Sequence, residues 1–130
     1  VGFGLSFGVC ADASVFSGIS AAISGTLNNA TLKWQLQTSN DTPIDTTTGR
    51  GECAYTSAAT KWTDCVYNTL TNGAISSTVA TFNYNFSQFS GGVPVSTVDK
   101  NELIGVQWQI ECGSGSTCAI DILIDDVKLR

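Results

Sequence analysis

The sequence predicts an all-β fold: an antiparallel two-sheet β-sandwich, jelly-roll-like and short of its first strand, in one domain spanning residues 1–130. Three observations lead there. Short runs of β-branched and aromatic residues recur between clusters of Gly, Asn, Asp, Ser and Thr. No stretch carries a helical period. Two segments, Lys33-Trp34-Gln35-Leu36-Gln37 and Gln107-Trp108-Gln109-Ile110-Glu111, alternate polar and apolar residues with period two.

Taken in order, Gly2–Val9 reads as a strand because Phe3, Leu5 and Phe7 share one face. Val15–Ser24 follows, and Asn28-Asn29 supplies a tight turn into Thr31–Thr38. The polar span Ser39–Thr60 is too long for a hairpin turn and is expected to be an excursion anchored by Cys53 and Cys65. Strands are expected at Thr63–Asn68 and Ser77–Phe86. Gly91-Gly92-Val93-Pro94 then breaks the chain, and Val95–Asn101 connects to the strand Leu103–Glu111. The last strand is Thr117–Leu129. A hairpin through Gly113-Ser-Gly-Ser116 is expected to pair these two, which would bring Cys112 and Cys118 within bridging distance.

Composition narrows the function. The chain has a net charge of −5 and no histidine, so it offers no basic stripe for nucleic acid. No apolar run is long enough for a membrane span. The first residues alternate like a strand and carry no charged leader, so any export signal is expected to have been removed already. Five cysteines and no methionine, amid abundant Ser, Thr and Asn, point to an extracellular location, secreted or at the cell surface. Without a CxxC pair or a histidine the cysteines do not resemble a zinc site. Disulfides Cys53–Cys65 and Cys112–Cys118 are the natural pairs, although sequence leaves the connectivity open. Cys10 is then unpaired. Its partner lies outside this sequence or on a neighbouring molecule, or it is a free thiol, the plainer case being a buried one.

If the two alternating segments share a sheet, Lys33, Gln35, Gln37, Gln107, Gln109 and Glu111 form one polar platform, with Trp34 and Trp108 in the core behind it. Together with Ser17-Gly18-Ile19-Ser20, Leu103-Ile-Gly-Val-Gln-Trp-Gln109 and Ile124-Asp125-Asp126-Val127, this pattern resembles the jelly-roll carbohydrate-binding modules of secreted polysaccharide-degrading enzymes, in the galactose-binding-like group. The resemblance implies sugar recognition on a concave sheet or at loop tips, and often a structural calcium ion. It also implies a strand ahead of the stretch matching Val1–Cys10, and this sequence does not contain one. The edge so exposed is expected to be filled by another copy, a neighbouring domain or the chain's own Val127–Arg130. An exposed tryptophan pair for a flat glucan surface is not evident either.

Catalysis is not expected. A Ser or Cys nucleophile would lack its usual histidine base. Glycoside hydrolysis needs two facing carboxyls, and only Glu111 falls on the platform, with Glu52 and Glu102 in loops. No cofactor is required. Asp125 and Asp126 are candidates for calcium, or else the solvated end of a strand whose neighbouring side chains point to opposite faces. Tyr55, Trp62 and Tyr67 surround the Cys53–Cys65 excursion and could stack on a sugar, and Trp62 has the alternative of plugging the core's edge. Asn29, Asn40 and Asn85 sit in N-glycosylation triplets, a pattern that chance also produces in such a Ser/Thr-rich chain. Thr46-Thr47-Thr48 could equally carry O-linked sugar.

The functional expectation is a non-catalytic, lectin-like domain that binds a polysaccharide or other glycan. The alternative is a structural subunit of an extracellular fibre or surface layer, self-assembled by strand pairing through the incomplete edge.

Overall fold

The computed structural model of the chain describes residues 1–115 and 117–130. Among these residues seven strands form: β1 (Gly2–Ala11), β2 (Gly18–Asn28), β3 (Ala30–Thr38), β4 (Asn68–Thr71), β5 (Ala80–Asn85), β6 (Leu103–Cys112) and β7 (Ala119–Leu129). One antiparallel sheet has the order β1-β6-β3-β4 and the other β5-β2-β7. The all-β sandwich is therefore the fold.

Period two explains the packing. Leu32, Trp34 and Leu36 of β3 and Val106, Trp108 and Ile110 of β6 point inward and are buried, while the residues between them stay half-exposed or exposed. Trp34 and Trp108 lie directly opposite each other across the strand pair, ring centroids 5.2 Å apart. From the facing sheet Ile19, Ala21 and Ile23 close the core, and Tyr84 of β5 meets Trp34 edge-on at 5.4 Å. Asn72 secures this corner, accepting hydrogen bonds from Trp34 Nε1 (2.8 Å) and from the Tyr84 hydroxyl (3.1 Å).

Several sequence expectations need correction. The strand expected at Thr63–Asn68 is instead a single helical turn, α1 (Lys61–Asp64), and pairing with β3 starts only at Asn68. β6 and β7 form no hairpin, because they belong to different sheets. The Cys112–Cys118 bridge does form, but it ties one sheet to the other across a connection whose Ser116 lies outside the described residues. The turn at Asn28-Asn29 is likewise a corner between sheets, made with Asn29 in the left-handed region (φ 57°). At that corner Gly113 N–H donates to the Asn29 carbonyl (2.9 Å), so both crossovers are stitched together.

β1 is an edge strand. The Tyr84–Trp34 contact puts β5 beneath β3, so β7 ends its own sheet on the flank where β1 ends the other. This flank is open: Phe3 is 45%, Leu5 49% and Ile120 37% exposed. The chain's last residues do not fill it, since Leu129 pairs with Ile19 and Arg130 exchanges backbone hydrogen bonds with Gly18. Cys10, near the end of β1, is free and exposed, which corrects the buried-thiol reading.

Candidate functional site

The outer face of the β1-β6-β3-β4 sheet carries the expected polar platform. Gln35 stands opposite Gln107, and Lys33 opposite Gln109. Gln37 Nε2 donates to Gln107 Oε1 (3.0 Å), and Lys33 pairs with Glu111 at 2.7 Å. Such a half-exposed ion pair contributes at most about 1 kcal/mol and mainly holds two side chains in place. Gln35 and Gln109 have no side-chain hydrogen-bond partner among the described residues, and their half-exposed amides face outward. Beside them β1 contributes Gly2 and Gly4, opposite Gln109 and Gln107, which keeps that side of the floor low. Gly105 matters for close approach: a Cβ there would lie 2.7 Å from Gln37 Oε1 and 2.7 Å from the Leu5 carbonyl oxygen on β1.

A wall rises from residues 39–67, which fold over this face. The Cys53–Cys65 disulfide closes the excursion. Arg50 fastens it to the floor, its guanidinium donating to Ser6 Oγ (2.5 Å) on β1 and to the Ile104 carbonyl (3.2 Å) on β6. In α1 the helical turn throws Trp62 outward, 62% exposed, which decides against its plugging the core. Tyr67 meets Trp62 with ring centroids 6.4 Å apart. Burial pushes the Tyr67 phenol above its usual range, with the Thr42 hydroxyl and the Arg50 charge acting the other way. Floor and wall enclose a cleft of about 410 Å³, bounded below by Gln35, Gln107 and Gln109 and at the side by Trp62, Val66 and Tyr67.

The structure thus brings together five of the residues singled out by sequence: Gln35, Gln107, Gln109, Trp62 and Tyr67. Gln37 adjoins them through Gln107. Tyr55 stands apart from this cleft and joins the wall through Lys61, whose Nζ lies 5.6 Å from the Tyr55 ring centroid and 5.1 Å from that of Trp62. Lys33 and Glu111 are engaged with each other; Glu111 borders a separate shallow cleft with Asn29 and Cys112.

Sequence reasoning missed Arg50, Lys61 and a buried polar hub. Asp41 and Asn68 are fully buried, with Asn68 Nδ2 donating to Asp41 Oδ2 (2.8 Å) and Val95 N–H donating to Asp41 Oδ1 (3.0 Å). Asn68 also takes a hydrogen bond from Gly92 N–H (3.2 Å) and gives one to the Val95 carbonyl (3.0 Å). The hub joins the root of the excursion, the start of β4 and the segment before β6. Burial raises the Asp41 carboxyl above its ordinary range, against the pull of the hydrogen bonds from Val95 and Asn68.

The remaining candidates lie elsewhere. Asp125 and Asp126 occupy a bulge of β7, with Asp126 at φ 52°, so both are exposed instead of facing opposite sides. Asp126 pairs with Lys128 at 2.7 Å, and among the described residues no group of three His, Cys, Asp or Glu could hold a metal. Of the glycosylation triplets, Asn29 lies at the sheet-to-sheet corner. Asn40 Nδ2 donates to Asp99 Oδ2 (3.0 Å), and Asn85 Oδ1 accepts from Arg130 (2.8 Å).

Comparison with protein-family models, with curated proteins and with solved structures finds no significant match to this chain.

Proposed function

We propose that the chain is a non-catalytic carbohydrate-binding domain of an extracellular protein, and that its ligand is a polysaccharide segment lying in the cleft. The observation that carries this reading is an exposed tryptophan standing beside a floor of half-exposed, outward-facing amides. A pyranose has an apolar C–H face and an equatorial rim of hydroxyls. Trp62 matches the first with flat area and little side-chain entropy to lose, and Gln35, Gln107 and Gln109 match the second with both donors and acceptors. Hydrolysis is no part of the reading, because the platform's one carboxylate, Glu111, is committed to Lys33 and has no facing partner on the floor. Two disulfides in a small domain accord with an extracellular setting.

Trp62→Ala is expected to weaken polysaccharide binding by at least about tenfold, the scale of a single aromatic anchor. The fold should persist, since the ring lies outside the core. Affinity electrophoresis over a polysaccharide panel, with melting in parallel, checks both halves; retained binding would remove Trp62 from the site.

One observation favours a second reading, a structural subunit of an extracellular fibre or surface layer. The open flank leaves Phe3 and Leu5 half-exposed on an unpaired strand edge, and such an edge accepts a strand from another chain. The occupant proposed under this reading is a second copy. Light scattering and electron microscopy of wild type and Leu5→Lys test it: assemblies abolished by the lysine support the subunit, and a monodisperse wild-type monomer contradicts it.

A further inference from the structure

Beyond the Trp62–Tyr67 wall, the outer face continues into a second cleft of about 310 Å³ that shares both rings with the first. Its chemistry differs. The amide floor gives way to Gln37 and Ser6, and two cations, Arg50 and Lys61, line the space. The chain has only six Lys and Arg in all, so two in one small cleft is a concentration of positive charge on a molecule of net charge −5.

Neither cation has an acidic partner within ion-pair distance among the described residues; the two ion pairs there use Lys33 and Lys128. Arg50 is half-buried, and its guanidinium donates to the Ser6 hydroxyl and the Ile104 carbonyl, which leaves further guanidinium N–H groups over. Lys61 is held against the Tyr55 and Trp62 rings, which position its ammonium without neutralising it. The cleft also contains one carboxylate, Asp45. It accepts from the Thr47 and Thr48 N–H groups (2.8 and 3.3 Å) and from the Thr48 hydroxyl (2.8 Å), while the Lys61 charge also acts on it from beyond ion-pair distance.

We propose that this second cleft is an anion subsite of the glycan-binding groove, built to take the carboxylate of a uronic acid residue. The inference rests on the glycan-binding reading above. A chain seated against Trp62 would present one sugar to the amide floor and a neighbouring one to Arg50 and Lys61. The guanidinium fork suits a carboxylate, and the ammonium adds a second positive charge beside it. Because the protein as a whole is acidic, general attraction to a polyanion opposes such binding, so a preference for acidic glycans requires a local site.

The test uses the 130-residue chain with alginate, polygalacturonate and a glucuronan, each beside its carboxyl-reduced neutral counterpart, and with a sulfated galactan. At least one uronan is expected to bind about tenfold more tightly than its reduced form at low ionic strength, with the gap closing as salt is raised. Lys61→Gln is expected to erase that gap, read as the ratio of acidic to reduced polymer affinity within the same variant. Arg50→Gln should also lower that ratio, with melting and reduced-polymer binding followed alongside because Arg50 also fastens the wall. Equal binding of acidic and reduced polymers would overturn the anion subsite and leave the glycan-binding reading intact. A gap that survives Lys61→Gln and a folded Arg50→Gln would also overturn it. Tighter binding of the sulfated galactan than of every uronan would overturn the carboxylate assignment, and failure of every polymer to bind would remove both proposals.

Discussion

Trp108→Ala is expected to lower the unfolding free energy by roughly 3–5 kcal/mol. Trp108 is 2% exposed and sits at the centre of an aromatic run, stacked on Phe3 (5.8 Å) and edge-on to Trp34 (5.2 Å). Truncation removes the ring's transfer free energy and leaves a cavity between two sheets whose backbones are held apart by their other contacts. It also loosens β1, because Phe3 is then deprived of its neighbour on a flank already open. A loss of that size consumes a large share of the roughly 5–15 kcal/mol typical of a whole domain. Urea unfolding followed by fluorescence of the remaining tryptophans checks it. Trp108→Phe should lose much less, since it keeps most of the volume and removes an indole N–H that has no acceptor among the described residues.

Asp41→Ala is the second large effect, expected at about 2–4 kcal/mol because it strips an acceptor from a buried donor and a part-buried one at once, where a buried donor left unpaired costs about 1–3 kcal/mol. Those donors are Asn68 Nδ2 and Val95 N–H. The consequence reaches the site, since the hub roots the excursion that carries Trp62. The pH dependence has a definite sign. The folded carboxyl binds its proton more tightly than the unfolded one, with burial as the largest cause. Its contribution is therefore fully present below the unfolded value of 3.8 and is lost as pH rises through the raised folded value. The stability gap between wild type and Asp41→Ala should be widest in acid and narrow toward neutrality. Melting both proteins across that range reveals it, and a gap that widens with pH would contradict the assignment.

The twin segments around Trp34 and Trp108 show what sequence makes legible. Their alternation specifies which side chains are buried, and it holds whichever strands lie alongside. For that reason the platform was readable and the partnership of β6 with β7 was not. A strand that buries one face is equally satisfied in either sheet, and the cysteines at residues 112 and 118 can bridge a sheet-to-sheet corner as well as a hairpin mouth. The region around residues 61–71 misled for a related reason. Both Val66-Tyr67 and Thr69-Leu70 favour strands, and only the tertiary placement of Asn68 in the Asp41 hub decides where pairing with β3 starts. Asp41 itself stands in a run of Ser, Asn, Asp and Thr that reads as solvent-exposed loop. Its burial depends on partners 27 and 54 residues away, beyond any local pattern. Arg50 and Lys61 were missed as isolated cations in a polar span, because only the folded loop brings them to one cleft.

The central claim, that the amide floor beneath Trp62 binds polysaccharide, is tested most directly with Gln35→Ala/Gln109→Ala. Both side chains face the cleft without a hydrogen-bond partner among the described residues, so their loss should cost the fold little. Affinity electrophoresis of wild type and the double variant through gels containing a polysaccharide panel is the measurement. Wild type is expected to be retarded by at least one polymer, and the double variant to lose about tenfold in affinity for it while melting at the same temperature. Equal retardation of the two proteins, or no retardation of wild type by any polymer, would contradict the account.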